Sequence, residues 1–318
     1  MIKLGIYNLE QIKKNTNFKG LFGGDKKISI TLYDKILDEP DADRLAERIL
    51  IYFSDDRGAY KRTYSKRFEE FDSIALDCLK GAFNNNAPLV FQDVAVSDGR
   101  TALDLFEQMS VIYPDLSYIA SDYSSKVYVL DKGNVSVTIS TKGQVLEIIW
   151  PPFVFNAMKK DSCLYYPLNC LIQYLAQQFI VPSILKEYDE GALQSKELVL
   201  FSHQVLKCSQ DDNRFILSQH DLLQSFKEPA HAIRAMNVLN PSYFSDSEFI
   251  KILNNIHASL CKGGLFITGS NQDADTTVHG GIYEKTINGF KKIKQCGDGS
   301  PIDTLLSSSN YFSAKVSL

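Results

Sequence analysis

The sequence has no CxxC pair among its six cysteines and no HExxH among its five histidines. Ligands at those spacings mark zinc sites, so no metal is expected. Basic residues are not in excess: the net charge is −4 and the pI about 5.8. Composition therefore carries no clear signal for nucleic acid or an anionic membrane. Residues 1–7 turn polar before a signal-peptide core can form. No apolar run approaches the ~20 residues of a membrane-spanning helix. The densest stretch, 145–155, is broken by Glu147 and by Pro151-Pro152. Internal repeats and low-complexity tracts are missing too. A cytoplasmic protein without a membrane span is the resulting expectation, its cysteines mostly buried, reduced thiols.

What is present is an ordinary globular composition, 44% hydrophobic and 23% charged, in a chain long enough for one large or two medium domains. Over residues 1–84 apolar positions recur at helical spacing: Leu45, Ile49 and Phe53, then Phe68, Phe71, Ile74, Leu76 and Leu79. Asp41 or Asp43 is placed to cap the first of these helices. This segment reads as a helical N-terminal cap, and Asn84-Asn85-Asn86-Ala87-Pro88 as the linker that follows.

From Leu89 strand and helix signals alternate, which predicts a parallel sheet with helices on both faces. Strands are expected at 89–96, 117–121, 214–217, 231–236 and 265–268, and helices at 101–113 and 246–260. The last helix stops at Lys262-Gly263-Gly264. Two further strands, 281–294 and 311–318, are expected to close the sheet as an antiparallel pair. The fold class is α/β, a Rossmann-like domain over 85–318 with an α+β insertion at 125–212. Within the insertion, 127–130, 135–140 and 145–150 read as an antiparallel meander, and 164–179 and 182–188 as helices. Trp150-Pro151-Pro152-Phe153-Val154-Phe155 with Tyr165 and Tyr166 reads either as the insertion's own core or as a lid.

The stretch Gln92-Asp93-Val94-Ala95-Val96-Ser97-Asp98-Gly99-Arg100 ends a strand in a small-residue turn and starts a helix. Such a turn lets backbone amides approach a ligand at a helix N-terminus. Asp122 closes the next strand, where an acid accepts from ribose hydroxyls; equally, it reads as a solvated aspartate capping a helix at Ser124. A third strand delivers Ser218-Gln219-His220-Asp221-Leu222, in which Asp221 suits an adenine amine. A fourth delivers Arg234-Ala235-Met236-Asn237-Val238-Leu239-Asn240-Pro241-Ser242-Tyr243-Phe244.

Order and spacing here resemble the class I S-adenosylmethionine (SAM) dependent methyltransferases. The nearest subpattern is that of the chemotaxis-receptor methyltransferases, through Val94–Gly99, Met236–Phe244 and Leu260–Gly264. The resemblance implies SAM as cofactor, S-adenosylhomocysteine as product and a small-molecule or protein methyl acceptor. It implies Asp93 near the methionine end, and Ala95, Ser97 and Gly99 as the cofactor turn. Asp122 would lie at the ribose, Asp221 and Leu222 at the adenine, and Asn237 and Val238 below the sulfonium. SAM carries no pyrophosphate, so a full G-x-G-x-x-G cradle is unnecessary, which argues against NAD. Histidine and tyrosine at strand ends, His220, Tyr243 and His203, are the candidate bases. Asn240-Pro241-Ser242-Tyr243 reads as a proline turn, and 276–281 as a loop near the pocket. A non-catalytic SAM-binding module is the alternative function. The sequence assigns neither acceptor nor oligomeric state.

Overall fold

The computed structural model describes residues 2–14, 26–37, 39, 41–61, 63–159, 161–240, 243–271 and 277–307. In chain order it begins with α1 (Leu9–Lys14), α2 (Ala42–Tyr52) and α3 (Glu69–Ala82), then β1 (Leu89–Val94), α4 (Arg100–Ile112) and β2 (Leu116–Asp122). The strands β3 (Lys126–Lys132), β4 (Val135–Ile139), β5 (Val145–Trp150) and β6 (Phe153–Asn156) follow. Next come α5 (Pro167–Leu175), a π turn at Ala176–Ile180, α6 (Val181–Asp189), β7 (Ser195–Val199) and α7 (His203–Asp211). The chain continues through β8 (Phe215–Gln219), β9 (Ala230–Met236), α8 (Asp246–Ser259), β10 (Leu260–Ser270), β11 (His279–Thr286), β12 (Gly289–Cys296) and α9 (Asp303–Ser307).

These elements form two compact units, Met1–Thr63 with Lys126–Ser202, and Tyr64–Ser125 with His203–Leu318. The sequence reading drew a cap over 1–84 and an insertion over 125–212. The structure instead groups residues 1–63 with the meander, and α3 with the Rossmann-like sheet. Packing explains the first grouping. Strand β3 alternates its side chains between two faces. Val127 and Val129 join Leu45, Ile49 and Leu50 of α2 in one cluster, whereas Leu130 joins Ala176, Val181 and Ile184 in another. The sheet between the clusters is antiparallel throughout, in the order β6-β5-β4-β3-β7. Strands β3, β4 and β5 match the expected meander; β6 and β7 were not foreseen. Phe155 is fully buried in the second cluster, with Trp150 and Phe153 partly buried against it, so these aromatics serve the unit's own core. Tyr165 is 56% exposed.

Two expectations are not met. The helical run Pro167–Asp189 is 23 residues long with mean hydropathy 1.2, long and apolar enough by composition to cross a membrane, and only 28% of its most apolar window is buried. Asn169, Gln173, Gln177 and Gln178 interrupt the apolar run without adding charge, so no unbroken apolar stretch marks it in the sequence. Cys163 and Cys170 form a disulfide, and Cys78, Cys208, Cys261 and Cys296 are half-buried rather than buried. Asp41 is the N-cap residue of α2, but its side chain makes no capping hydrogen bond.

Glu147 of β5 is 7% exposed. Its Oε1 accepts from the Ser29 hydroxyl at 2.6 Å and its Oε2 from the Ile30 amide at 3.3 Å. Burial pushes its carboxyl up to about 7, against the pull of Ser29, Ile30 and Lys27. The folded state thus holds this proton more tightly than the unfolded chain. The resulting stabilisation is complete below the unfolded value near 4.5 and is lost as pH rises to about 7. Glu147→Gln, which cannot ionise, is expected to gain on the wild type by on the order of 3 kcal/mol between pH 5 and pH 8. Denaturant unfolding of both proteins across that range measures it; a pH-independent difference rejects the assignment.

The second unit holds a seven-stranded sheet ordered β12-β11-β10-β9-β1-β2-β8. Strands β8, β2, β1, β9 and β10 are mutually parallel, the doubly wound order in which the chain first steps one way from β1 and then restarts at β9. Helix α8 packs Phe249, Ile252 and Ile256 against Val94, Ile233, Ala235 and Phe266 on one face. On the other face Phe106 of α4 meets Tyr118 and Phe215 edge-on or tilted. This is the expected α/β class. The strand predicted at 281–294 is two strands, β11 and β12, folded back at Ile287-Asn288. The antiparallel closing pair therefore lies inside that segment, and 311–318 falls outside the described residues. On the outermost strand, β12, Lys291, Lys292 and Lys294 are exposed.

Candidate functional site

In a doubly wound sheet the loops separate where the winding direction reverses, leaving a crevice at the carboxyl ends of the two strands concerned. Here those strands are β1 and β9, paired through Val94 and Ala235. Three non-glycine residues with positive φ stand at their ends: Ala95 (58°), Ser97 (60°) and Asn237 (57°). Gly99, at 85°, is the N-cap of α4. Left-handed backbone is disfavoured for residues with a Cβ, by roughly 1–2 kcal/mol each. Ala95 and Ser97 thus hold, at a local energetic cost, a turn that glycine would adopt freely. Strain of this kind collects at ligand sites.

Asp122 fixes the turn. Its Oδ2 accepts from the Ser97 amide at 2.7 Å and its Oδ1 from the Ser124 amide at 2.9 Å. The contact with Ser124 is the one expected of a cap, but it closes a turn into β3 and not a helix, and Asp122 is buried where a solvated residue is expected. The carboxylate is largely buried. Gly99 is enclosed: a Cβ there would lie 2.8 Å from Val205 Cγ1, at the inner side of α7. Asp98, the acid inside the turn, is fully buried; it accepts from Arg100 Nε at 2.8 Å and from the Arg100 amide at 3.2 Å, closing the first turn of α4.

Asp93 does not face the crevice. It is 1% exposed, and its Oδ2 accepts from Arg234 at 2.7 Å and from the Tyr118 hydroxyl at 2.7 Å. Arg234 reaches Asp72 of α3 with its other nitrogen at 2.9 Å. Burial raises both acids, Asp72 to about 7, while Arg234 opposes the rise. The methionine-end role expected of Asp93 is therefore replaced by a buried ion-pair network. The strand pattern showed an acid near the turn but not which sheet face it occupies.

Leu222 and Val238 pack in the α8 cluster, as does Tyr243. The Asp221 carboxylate accepts from the Leu223 amide at 3.0 Å. His220 is brought to the crevice edge, its amide donating to the Asp122 carbonyl at 3.2 Å. Its ring lies 4.4 Å from that of Phe226, and burial lowers its pKa. Its Nε2 is buried without a hydrogen-bond partner. His203 is exposed at the start of α7. Gly280 and Gly281 serve strand packing, since a Cβ on Gly280 would meet the Thr268 carbonyl at 2.6 Å. Pro241, Ser242 and Thr276 lie outside the described residues.

Asn271 and Arg67 stand at this edge without having been expected there. Asn237 and Asn271 exchange hydrogen bonds, Nδ2 of Asn237 to Oδ1 of Asn271 and the Asn271 amide to Oδ1 of Asn237, both at 2.9 Å. Arg67 Nε donates to the same Asn271 oxygen at 3.0 Å. Nothing in the spacing of these residues announces the contact. Ala95, Ser97, Gly99, Asp122, His220 and Asn237 are thus gathered at one sheet edge, whereas Asp93, Leu222, Val238 and Tyr243 belong to the packing beneath it.

No protein-family model and no curated protein matches the sequence. Among solved structures, the mitomycin 7-O-methyltransferase MmcR aligns at 10% identity and TM-score 0.32, over 76% of this chain and 42% of its own. A putative S-adenosylmethionine-dependent methyltransferase from Methanococcus maripaludis gives 11% and 0.32, over 65% and 58%. The N-methyltransferase NodS from Bradyrhizobium japonicum, solved with S-adenosylhomocysteine, gives 13% and 0.32, over 77% and 74%. The chain thus spans about half the length of the first two. At these values the likeness adds nothing to the sheet order already described, and none of the three supports closeness to the chemotaxis-receptor enzymes.

Proposed function

We propose that the second unit binds SAM at the ends of β1 and β9 and that the protein is a methyltransferase acting on a small-molecule or protein acceptor. The observation that carries the reading is the cluster of left-handed residues, Ala95, Ser97, Gly99 and Asn237, at the two strand ends where the winding reverses. Small, half-exposed side chains at 95 and 97 leave room for a nucleoside without a pyrophosphate cradle. The Asp122 carboxylate at the end of β2 suits ribose hydroxyls, and Asn237 offers a polar floor. The sulfonium supplies an activated methyl group when the cofactor is bound. The protein's part is largely positioning. His220, neutral through burial, is a group at this edge able to accept a proton from an acceptor.

The alternative is a SAM-binding module without turnover. Thermal melts with SAM, S-adenosylhomocysteine and NAD separate the cofactor classes. A ligand at ~100 times its Kd is expected to add ~2.7 kcal/mol of stability. SAM and S-adenosylhomocysteine should shift the melt and NAD should not; silence from both nucleosides rejects the reading. Methyl transfer from labelled SAM to an acceptor panel then distinguishes enzyme from binder.

A further inference from the structure

Independently of that reading, the first unit carries a row of exposed apolar side chains that its own core does not use. Residues 162–185 contain no Lys, Arg, Asp or Glu. The inward side of this run is satisfied within the unit: Ala176, Val181 and Ile184 close the core over the antiparallel sheet. Asn169 exchanges hydrogen bonds with the Lys3 backbone at 2.9 and 2.7 Å, and Gln173 donates to the Asn156 carbonyl at 3.0 Å. The opposite side presents Leu164, Leu168, Leu171, Leu175 and Phe179, which are 85, 40, 54, 37 and 71% exposed. Tyr165 and Tyr174 flank them. Leu168, Leu171 and Leu175 recur in steps of three and four along α5, which at ~3.6 residues per turn puts them on one stripe, the pattern of a helix seam built to meet another helix; Leu164 in the turn before α5 and Phe179 in the π turn after it add exposed apolar surface at its ends.

We infer that this stripe is covered by the same stripe of a second copy of the chain, the two α5 helices lying antiparallel about a two-fold axis near Leu171. From their fractional exposures, the five residues and two tyrosines offer about 700 Å² of side-chain surface, above the ~300–600 Å² patch of a typical monomer and close to the ~800 Å² per partner of a standard interface. The absence of charge matches the core of a protein interface. It does not match a membrane-surface helix, which draws on Lys and Arg for anionic lipids. Reversal about Leu171 sets Leu168 of one copy against Leu175 of the other. The stripe is therefore its own complement, as a closed two-fold interface requires.

Sedimentation velocity of the full chain at micromolar concentration tests this. The expected species has twice the 35.8 kDa of one chain. Leu171→Glu places two carboxylates at the axis and is expected to weaken self-association by a hundredfold or more, in order of magnitude, through like-charge juxtaposition. Its melting curve should stay cooperative, because Leu171 is 54% exposed in the single chain. Val111→Glu, at an isolated position 83% exposed on α4, should remain dimeric. Leu171→Cys should cross-link symmetrically under mild oxidant where the parent does not, which keeps the test open if Leu171→Glu misfolds. A monomer at every concentration overturns the inference, as does a dimer that survives Leu171→Glu. A monomer that pellets with neutral phosphatidylcholine vesicles also overturns it and assigns the stripe to lipid.

Discussion

Arg234→Met is expected to lower the unfolding free energy by about 3–5 kcal/mol at neutral pH, because it strands two buried carboxylates without their cation. Arg234 and its partners Asp93 and Asp72 are all within a few per cent of full burial. One guanidinium nitrogen contacts Asp93 at 2.7 Å and the other Asp72 at 2.9 Å. Methionine keeps much of the side-chain volume, including the packing beside the Phe68 ring, and removes only the charge and its hydrogen bonds. The orphaned acids escape by taking up protons, so the loss should shrink as pH falls from 8 to 5. Asp72, already raised to about 7 by burial, should protonate first. Denaturant unfolding at both pH values checks size and sign. A loss below about 1 kcal/mol, or one that grows on acidification, contradicts a network held together by the cation. A triple variant with apolar residues at 72, 93 and 234 should recover most of the stability, since breaking a buried pair is far worse than replacing it whole.

Gly99→Val is expected to be nearly as damaging and to remove nucleoside binding as well. Two penalties act together. A β-branched residue at φ 85° is a conformational outlier costing about 1–3 kcal/mol. Its Cβ would press to 2.8 Å of Val205, an overpacking worth about 1–3 kcal/mol more. Gly99→Ala carries the same clash with less conformational penalty and should fall between. Paired with Val205→Ala, Gly99→Val should regain the packing part and keep the conformational part. Thermal melts with and without SAM separate the effects: a Gly99→Val protein that melts normally and still shifts with SAM would place the site elsewhere.

Much of the sheet was legible before the structure because its signals are local. The apolar run into Ala95–Gly99 gave β1, the turn and α4, and Asp122 fell at the end of β2 as expected. The five parallel strands were found within a few residues of their true bounds; for β10 the prediction captured only the central part. The hairpin between β11 and β12 was missed: one strand is expected over 281–294, although Asn288-Gly289 is a strong turn signal, because sheet-forming residues lie on both sides of it. What could not be read is lateral. Whether Asp93 points to the crevice or into the sheet face depends on Arg234, 141 residues away. That residues 1–63 belong with the meander depends on α2 meeting β3 across a long gap in sequence. The Ala95 and Ser97 conformations show the reverse case: alanine and serine give no hint of left-handed backbone, and the turn is imposed by its surroundings, Asp122 among them.

The three lysines along β12 bear on how copies of this protein can meet. An unpaired outer strand exposes a ladder of amides and carbonyls that invites another strand to join it. Two molecules approaching rim to rim on that side would set Lys291, Lys292 and Lys294 of each against the other's. With only Lys292 neutralised among the described contacts, by Asp303 at 2.7 Å, the repulsion guards against runaway sheet extension and directs association toward the uncharged leucine helix.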